Sequence, residues 1–336
     1  MESLADFGTV HLFAISTLTT AIYDSWLVYG SLSAAAKISC LLLLFVISLS
    51  WLERKQREAQ KHYDLKGSHS LTKKTATKKQ LLAIWLVCLS IITLGFLVPV
   101  LTLIGYCLDY INENFSGNLW LHAQHTFTLA ATAAVICTAL ALMFNANQRF
   151  FPRKLHNSQQ NLASIGYAIP GTVLAIAILI PLGAMDLGLN ALLENWNMDT
   201  IGLVFSGSSF ALLMAFVIRF AAIANGSVHS AYEHIPPNLD LAARSLNTHS
   251  WRLFKDIHIP LITPATISAL LLVFIECVKE LPASILLRPF DFETLSTYVY
   301  QFASDEQLEH GALAALLIIT VSLIPIFVLS RTQKMS

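Results

Sequence analysis

Charge is what this sequence has least of. Of its 336 residues, 12% are Asp, Glu, Lys or Arg, about half the share found in ordinary soluble domains. A water-soluble globular chain is thereby excluded. With 55% hydrophobic residues and a mean hydropathy of +0.61, the composition is that of a polytopic membrane protein. Cysteine is scarce and unpatterned. Cys40, Cys88, Cys107, Cys137 and Cys277 lie inside apolar runs or at their ends, without metal-type spacing or a disulfide framework. They behave as small hydrophobes. No G-x-x-x-x-G-K-[ST] loop occurs, so ATP hydrolysis by a phosphate-binding loop of that kind is excluded. No nucleophile–base set is evident, and an enzyme is not expected. His122 and His125 are the nearest approach to a metal motif, but two polar residues at a membrane interface leave a metal site incomplete. Residues 1–30 lack the basic start and apolar core of a signal peptide, and none is expected there.

Long apolar runs are abundant. A bilayer core takes about 20 residues of helix, and seven runs qualify: 32–52, 80–107, 122–145, 162–184, 201–222, 262–282 and 311–330. Lysine and arginine set the orientation. The connections 53–79, 146–161 and 219–261 and the C-terminal tail carry nine, three, four and two of them, together 18 of the 21. The connections 108–121, 185–200 and 283–310 hold only Arg288, with acids such as Asp109, Asp186, Asp291, Glu293, Asp305, Glu306 and Glu309. The basic set is therefore expected in the cytoplasm, with the C-terminus. The first span must then run inward, so residues 1–30 are expected to begin on the outer side or within the membrane.

An internal repeat accounts for that start. Thr17-Leu-Thr-Thr-Ala-Ile-Tyr23 resembles Thr294-Leu-Ser-Thr-Tyr-Val-Tyr300, and an apolar span with a basic end follows each. At the same offset Met1–Ala5 lies over Val278–Pro282. Repeated membrane units are common in transporters. The chain divides into the tail of one unit (1–55), a basic linker (56–79) expected to be mobile, and a six-span unit (80–336).

Two segments carry mechanism. The first, Ile235–Pro260, is polar and lies between two apolar runs, so it belongs on a membrane surface. Pro236 and Pro237 suit a helix start, and Asp240 suits the dipole of its first turn. Leu239, Ala242, Ala243 and Leu246 share one face, and Asn247 is a plausible terminator. Ser250 caps a second helix with Trp251, Phe254 and Ile257 on one side, which Pro260 ends. Small residues beside aromatic anchors suit protein docking; the alternative is a helix pair lying at the headgroup level. The second segment holds Glu276, Lys279 and Glu280, spaced i, i+3 and i+4 to share a face near the outer end of a span, followed by the helix breaker Pro282. Such charges either face a pathway or snorkel to the interface.

The first segment resembles the cytoplasmic coupling loop (here 228–260) of binding-protein-dependent ABC importer permeases. Leu241-Ala242-Ala243 occupies its Glu-Ala-Ala slot, Asn247 its glycine slot and Ile259-Pro260 its closing pair. Leucine for glutamate and asparagine for glycine are departures. The resemblance makes Leu239, Asp240, Leu241, Ala242, Ala243, Arg244, Leu246, Asn247, Trp251, Phe254, Ile257 and Pro260 the candidate ATPase-docking set. The second segment is similar to ferric-iron permeases of the same superfamily, through Lys279-Glu-Leu-Pro282, Leu286-Leu-Arg-Pro289 and Phe292-Glu-Thr-Leu295, with Gly166-Tyr-Ala-Ile-Pro-Gly171 upstream. The resemblance covers residues 1–55 and 80–336. It implies an all-α transmembrane bundle of the type I importer permease fold, with Glu276, Lys279, Glu280 and Pro282 beside the translocation pathway. The partners implied are a cytoplasmic ATPase dimer, which uses the ATP, a periplasmic binding protein and a second permease unit, fused upstream or separate. The outer acids either receive the binding protein or form a solvated loop. No cofactor, metal or nucleic acid is expected on this chain. Permeases for thiamine, phosphonate or another small solute are the alternatives within the superfamily; a secondary transporter or channel is the alternative outside it.

Overall fold

The structure, a computed structural model, describes residues 2–61, 77–110, 117–150, 166–245 and 248–332. Among these, all regular structure is helical. Three short helices open the chain: α1 (Glu2–Ala5), α2 (Gly8–Leu12) and α3 (Leu18–Tyr23). Then come α4 (Leu32–Lys61), α5 (Lys78–Asp109), α6 (Gly117–Phe150), α7 (Gly171–Asn195) and α8 (Ser209–Glu233). The polar segment forms α9 (Pro237–Ser245) and the start of α10 (250–278). Short α11 (Pro282–Leu287) and α12 (Leu295–Ser304) precede α13 (Leu308–Thr332). Seven helices are long and apolar enough to cross a membrane, one for each apolar run of the sequence. Most of the linker expected at 56–79 lies outside the described residues; α4 extends into it as far as Lys61.

Small residues set the packing of the central helices. Ala130, Ala133, Ala134, Cys137 and Ala141 of α6 face Ala211, Ala215, Phe216, Phe220 and Ala224 of α8, with Ala269, Val273 and Cys277 of α10 beside them. Removing side-chain bulk lets helices approach closely where lipid supplies no hydrophobic drive between them. Gly166 is the extreme case, since a Cβ there would stand 2.1 Å from the Ile218 carbonyl oxygen. A second cluster joins Ile22, Ala35, Leu42 and Val46 of the N-terminal segment to Val173 and Ile176 of α7.

Several sequence boundaries shift. The span expected at 201–222 begins only at Ser209. Residues 204–206 form a loop whose amides donate to the buried Asp186 carboxylate at 2.8–3.0 Å, as does the Ser206 hydroxyl at 2.6 Å. Asp186 therefore lies inside α7 and not in a solvated connection. Arg219, counted with the basic connection, lies within α8. Pro260 does not end a helix. A π turn, Phe254–His258, carries the chain straight into Ile259–Val278, because the missing Pro260 N–H is absorbed by the wider turn before it. Pro99 follows the π turn Thr93–Leu97 of α5 in the same way.

The repeat has a physical counterpart. Thr17 and Thr294 each cap a helix through a capping box with the threonine three residues on. The next matched hydroxyls differ in reach: Thr19 donates to the Asp6 carbonyl at 3.0 Å and Ser296 to the Glu280 carbonyl at 2.9 Å. Asp6 accepts from the Thr9 amide at 3.3 Å, and Glu280 from the Ala283 amide at 3.2 Å. Asp6 is therefore the counterpart of Glu280. The expected overlay of Met1–Ala5 on Val278–Pro282 is out of register by three residues.

Candidate functional site

Two regions gather the candidate residues. At one end of the bundle α9 lies across the ends of three long helices, and Asp240 is its fastening. One carboxylate oxygen accepts from Arg149 Nε at 2.6 Å, at the end of α6; the other contacts His258 Nε2 at 2.9 Å, in the π turn of α10. Arg149 also donates to the Ile235 carbonyl at 3.0 Å. His258 is fully buried between the rings of Phe150 and Tyr232, so α8 joins the knot. A turn further in, Asn145 of α6 donates to Asn225 of α8 at 2.8 Å and contacts His229 at 3.1 Å. Sequence placed Asp240 in the docking set and at the helix dipole but did not pair it with Arg149, which is far away in the chain.

The face expected to hold the small residues is divided. Ala243 is 5% exposed and turned inward with Leu253, whereas Leu241 is 62% and Trp251 72% exposed. Leu239 and Ala242 also face outward, and Phe254 and Ile257 are half-buried. A bulky substitution at Ala243 therefore perturbs packing, and the outward positions are the ones that test docking. Pro260 is exposed at the start of the apolar part of α10. Leu246 and Asn247 lie outside the described residues, and the Arg244 side chain is not described.

The second region is the seam between the repeats. A cavity of about 540 Å³ is lined by Asp6, Phe7 and Gly8 from the N-terminal copy and by Glu276, Lys279, Glu280 and Pro282 from the other, with Tyr167 and Arg219. The predicted helix face is not formed: α10 stops at Val278, and Glu280 lies beyond its end. The three charges still meet, because the chain turns them into one cavity. Lys279 pairs with Glu276 at 2.8 Å. Glu280 is buried and accepts from Arg219 Nη1 at 2.8 Å, so it does not snorkel. Arg219 sits about 15 Å along α8 from Ser209 at 1.5 Å per residue, well inside the thickness of the bundle. Pro282 opens α11. Gly171, at the start of α7, leaves the room this pair needs: a Cβ there would lie 2.2 Å from Arg219 Nη1 and 2.6 Å from Glu280 Oε1. Arg219 was missed as a site residue because hydropathy alone reads a charge at a span end as a loop.

A further cavity of about 670 Å³ adjoins the seam, with His11, Tyr23, Arg288, Asp291, Glu293, Tyr300 and Asp305 among its lining. Phe7 is the contact between the two cavities. It lines the first, and its buried ring packs on His11, Tyr23 and Tyr300 of the second, with centroids 4.8–5.6 Å away. Arg288 pairs with Glu293. His125 stacks on Phe292 and touches the Glu293 carbonyl at 3.3 Å.

A helical bundle with a surface helix tied to its membrane spans and a charged cavity between repeats defines a membrane permease. Two solved bacterial alginate ABC transporter structures share the fold. One, in complex with an alginate pentasaccharide-bound periplasmic protein, has a TM-score of 0.58 at 17% identity, covering 74% of this chain and 92% of the other. The second has a TM-score of 0.59 at 17% identity, covering 76% and 94%. The family model for the binding-protein-dependent transport system inner membrane component matches residues 138–334, and the chain belongs to that family. Among curated relatives, an Fe(3+)-transport system permease protein of Haemophilus influenzae is 25% identical over 98% of this chain. This chain spans 63% of that relative's length. A putative 2-aminoethylphosphonate transport system permease protein of Salmonella paratyphi A is 19% identical, over 68% of this chain and 81% of the relative.

Proposed function

We propose that this chain forms half or more of the translocation path of an ATP-driven importer, and that its substrate is ferric iron. The observation that carries the reading is the placement of α9. It is an exposed helix fastened through Asp240 to α6 and α10, with α8 packed on the knot. A push delivered there reaches three spans together, as alternating access requires. In this reading the basic end lies in the cytoplasm with the C-terminus, and an ATPase dimer docks on Leu241, Ala242 and Trp251. That dimer binds and hydrolyses the ATP, and no cofactor is held by this chain. A periplasmic binding protein delivers substrate at the acidic end. Residues 1–55 act as the tail of a first permease unit, 56–79 as a linker and 80–336 as the second unit. A further permease unit, fused or separate, completes the path.

Ferric iron is supported by the Haemophilus influenzae Fe(3+)-transport permease that matches nearly the whole chain and by the acidic lining of the outer cavity. A phosphonate is the second reading, favoured by the Salmonella relative. The test is ATP-driven uptake by the complex reconstituted in lipid vesicles, with radioactive ferric iron and 2-aminoethylphosphonate offered separately. Uptake of iron alone is expected. Uptake of phosphonate alone overturns the substrate, and failure to recover an ATPase with the chain overturns the importer reading.

A further inference from the structure

The aromatic layer at the seam is more polar than packing requires. Of the four rings that meet there, only Phe7 lacks a polar atom. Tyr300 Oη and His11 Nδ1 are 2.8 Å apart, and the Tyr23 ring meets the His11 ring edge-on with centroids 5.2 Å apart. Tyr23 and Tyr300 are the closing residues of the two matched heptapeptides, so the repeats bring equivalent phenols together from two units. All three polar rings border the 670 Å³ cavity. Around its rim Asp291, Glu293 and Asp305 face one basic residue, Arg288, which is already paired with Glu293. That field draws cations and repels anions.

We propose that Tyr23, Tyr300 and His11 form a transit site for a hard, highly charged cation, ferric iron, where the outer cavity meets the seam. The proposal rests on the importer reading above and names the ligands that importer would use. Oxygen donors of high charge density suit a hard cation, and imidazole suits iron as well. On binding, the two phenols lose their protons to water and form Fe–O bonds, His11 offers the Nδ1 lone pair that the Tyr300 hydroxyl had occupied, 2.8 Å from that oxygen, and iron keeps its oxidation state. Three protein donors leave the remaining positions to water, which suits a station that must also release its ion. Phe7 lies directly behind the site and closes the way to the Asp6 and Glu280 cavity.

The test uses the full chain in lipid nanodiscs, titrated with ferric nitrilotriacetate and then desalted. Retained iron and the visible charge-transfer band of a ferric phenolate are read. The expected result is a band in the unaltered protein and in Tyr29→Phe, an exposed control outside the cavity lining. In Tyr23→Phe/Tyr300→Phe the band is lost and retained iron falls at least about tenfold; phenylalanine keeps the ring stack. No band in the unaltered protein, or an equal band in the double variant, overturns the site. ATP-driven uptake by the reconstituted complex guards against misfolding: iron uptake at the unaltered rate in the double variant overturns the site while leaving the importer reading intact. A complex that moves phosphonate and no iron overturns both.

Discussion

Replacing Asp240 by asparagine keeps its shape and removes its charge. In the protein that carboxylate joins Arg149 at 2.6 Å and His258 at 2.9 Å, with the Arg149 and Asp240 side chains 20% and 15% exposed. A hydrogen bond to a charged group contributes about 1.5–3 kcal/mol. Two are weakened here in a partly wet setting, so about 2–3 kcal/mol of α9 fastening is lost. At 1.36 kcal/mol per tenfold, that raises the undocked population of α9 roughly 30- to 150-fold. Hydrogen exchange of the amides in 237–245 reads this directly, and exchange there is expected to speed up by that factor while the α6 and α8 cores are unchanged. Under the proposed importer reading, the substrate moved per ATP hydrolysed in vesicles is expected to fall, because an ATPase would turn over against a helix that no longer moves the spans. Unchanged exchange in α9 would refute the fastening. Faster exchange with an unchanged transport ratio would refute its role in coupling.

The remaining expectations are smaller in scope. Trp251→Ala, at an exposed position, weakens recovery of the ATPase on affinity purification and leaves the thermal unfolding midpoint of the chain unchanged. Gly171→Ala forces a Cβ against Arg219 and Glu280 and costs about 1–3 kcal/mol, seen as a lower unfolding midpoint and lost uptake. Glu280→Gln leaves Arg219 buried without its anion and destabilises by about 3–5 kcal/mol; Arg219→Met/Glu280→Met regains most of the midpoint without regaining uptake. Thr17→Ala and Thr294→Ala remove equivalent caps and cost about 1 kcal/mol each, so near-equal shifts are expected from the two.

The spans were legible because length and hydropathy suffice to mark a helix that must satisfy its backbone within lipid. What escaped were polar groups satisfied by distant partners. Arg219 looks like the start of a loop until Glu280, 61 residues on, is seen beside it. Asp186 looks solvated until the amides of 204–206 are seen to close on it. Asp240 has an adequate local explanation in the helix dipole, which hid its non-local one. Proline has no N–H and reads as a stop, yet a π turn accommodates Pro260 inside one helix. Within the candidate docking set, spacing told which residues share a helix but not which side the bundle would cover, so Ala243 is turned inward while Leu241 is exposed.

The three-residue register shift shows which features of the repeat matter physically. Between Asp6 and Thr19 the chain takes 13 residues, and between Glu280 and Ser296 it takes 16. Identity of sequence is therefore not what the two copies share across that stretch. They share an acid two residues before a short helix, accepting the amide three residues on. They also share a downstream hydroxyl that holds the same acid's carbonyl, and a threonine cap on the helix that follows. Each acid is thus fixed at both its carboxylate and its backbone, and each turns toward one cavity. A carboxylate within a bundle is costly unless positioned and compensated. Glu280 has Arg219 for that purpose, while Asp6 relies on an amide and the open cavity. Two fixed acids of unequal neutralisation, one from each unit, leave a net negative seam behind the Phe7 ring.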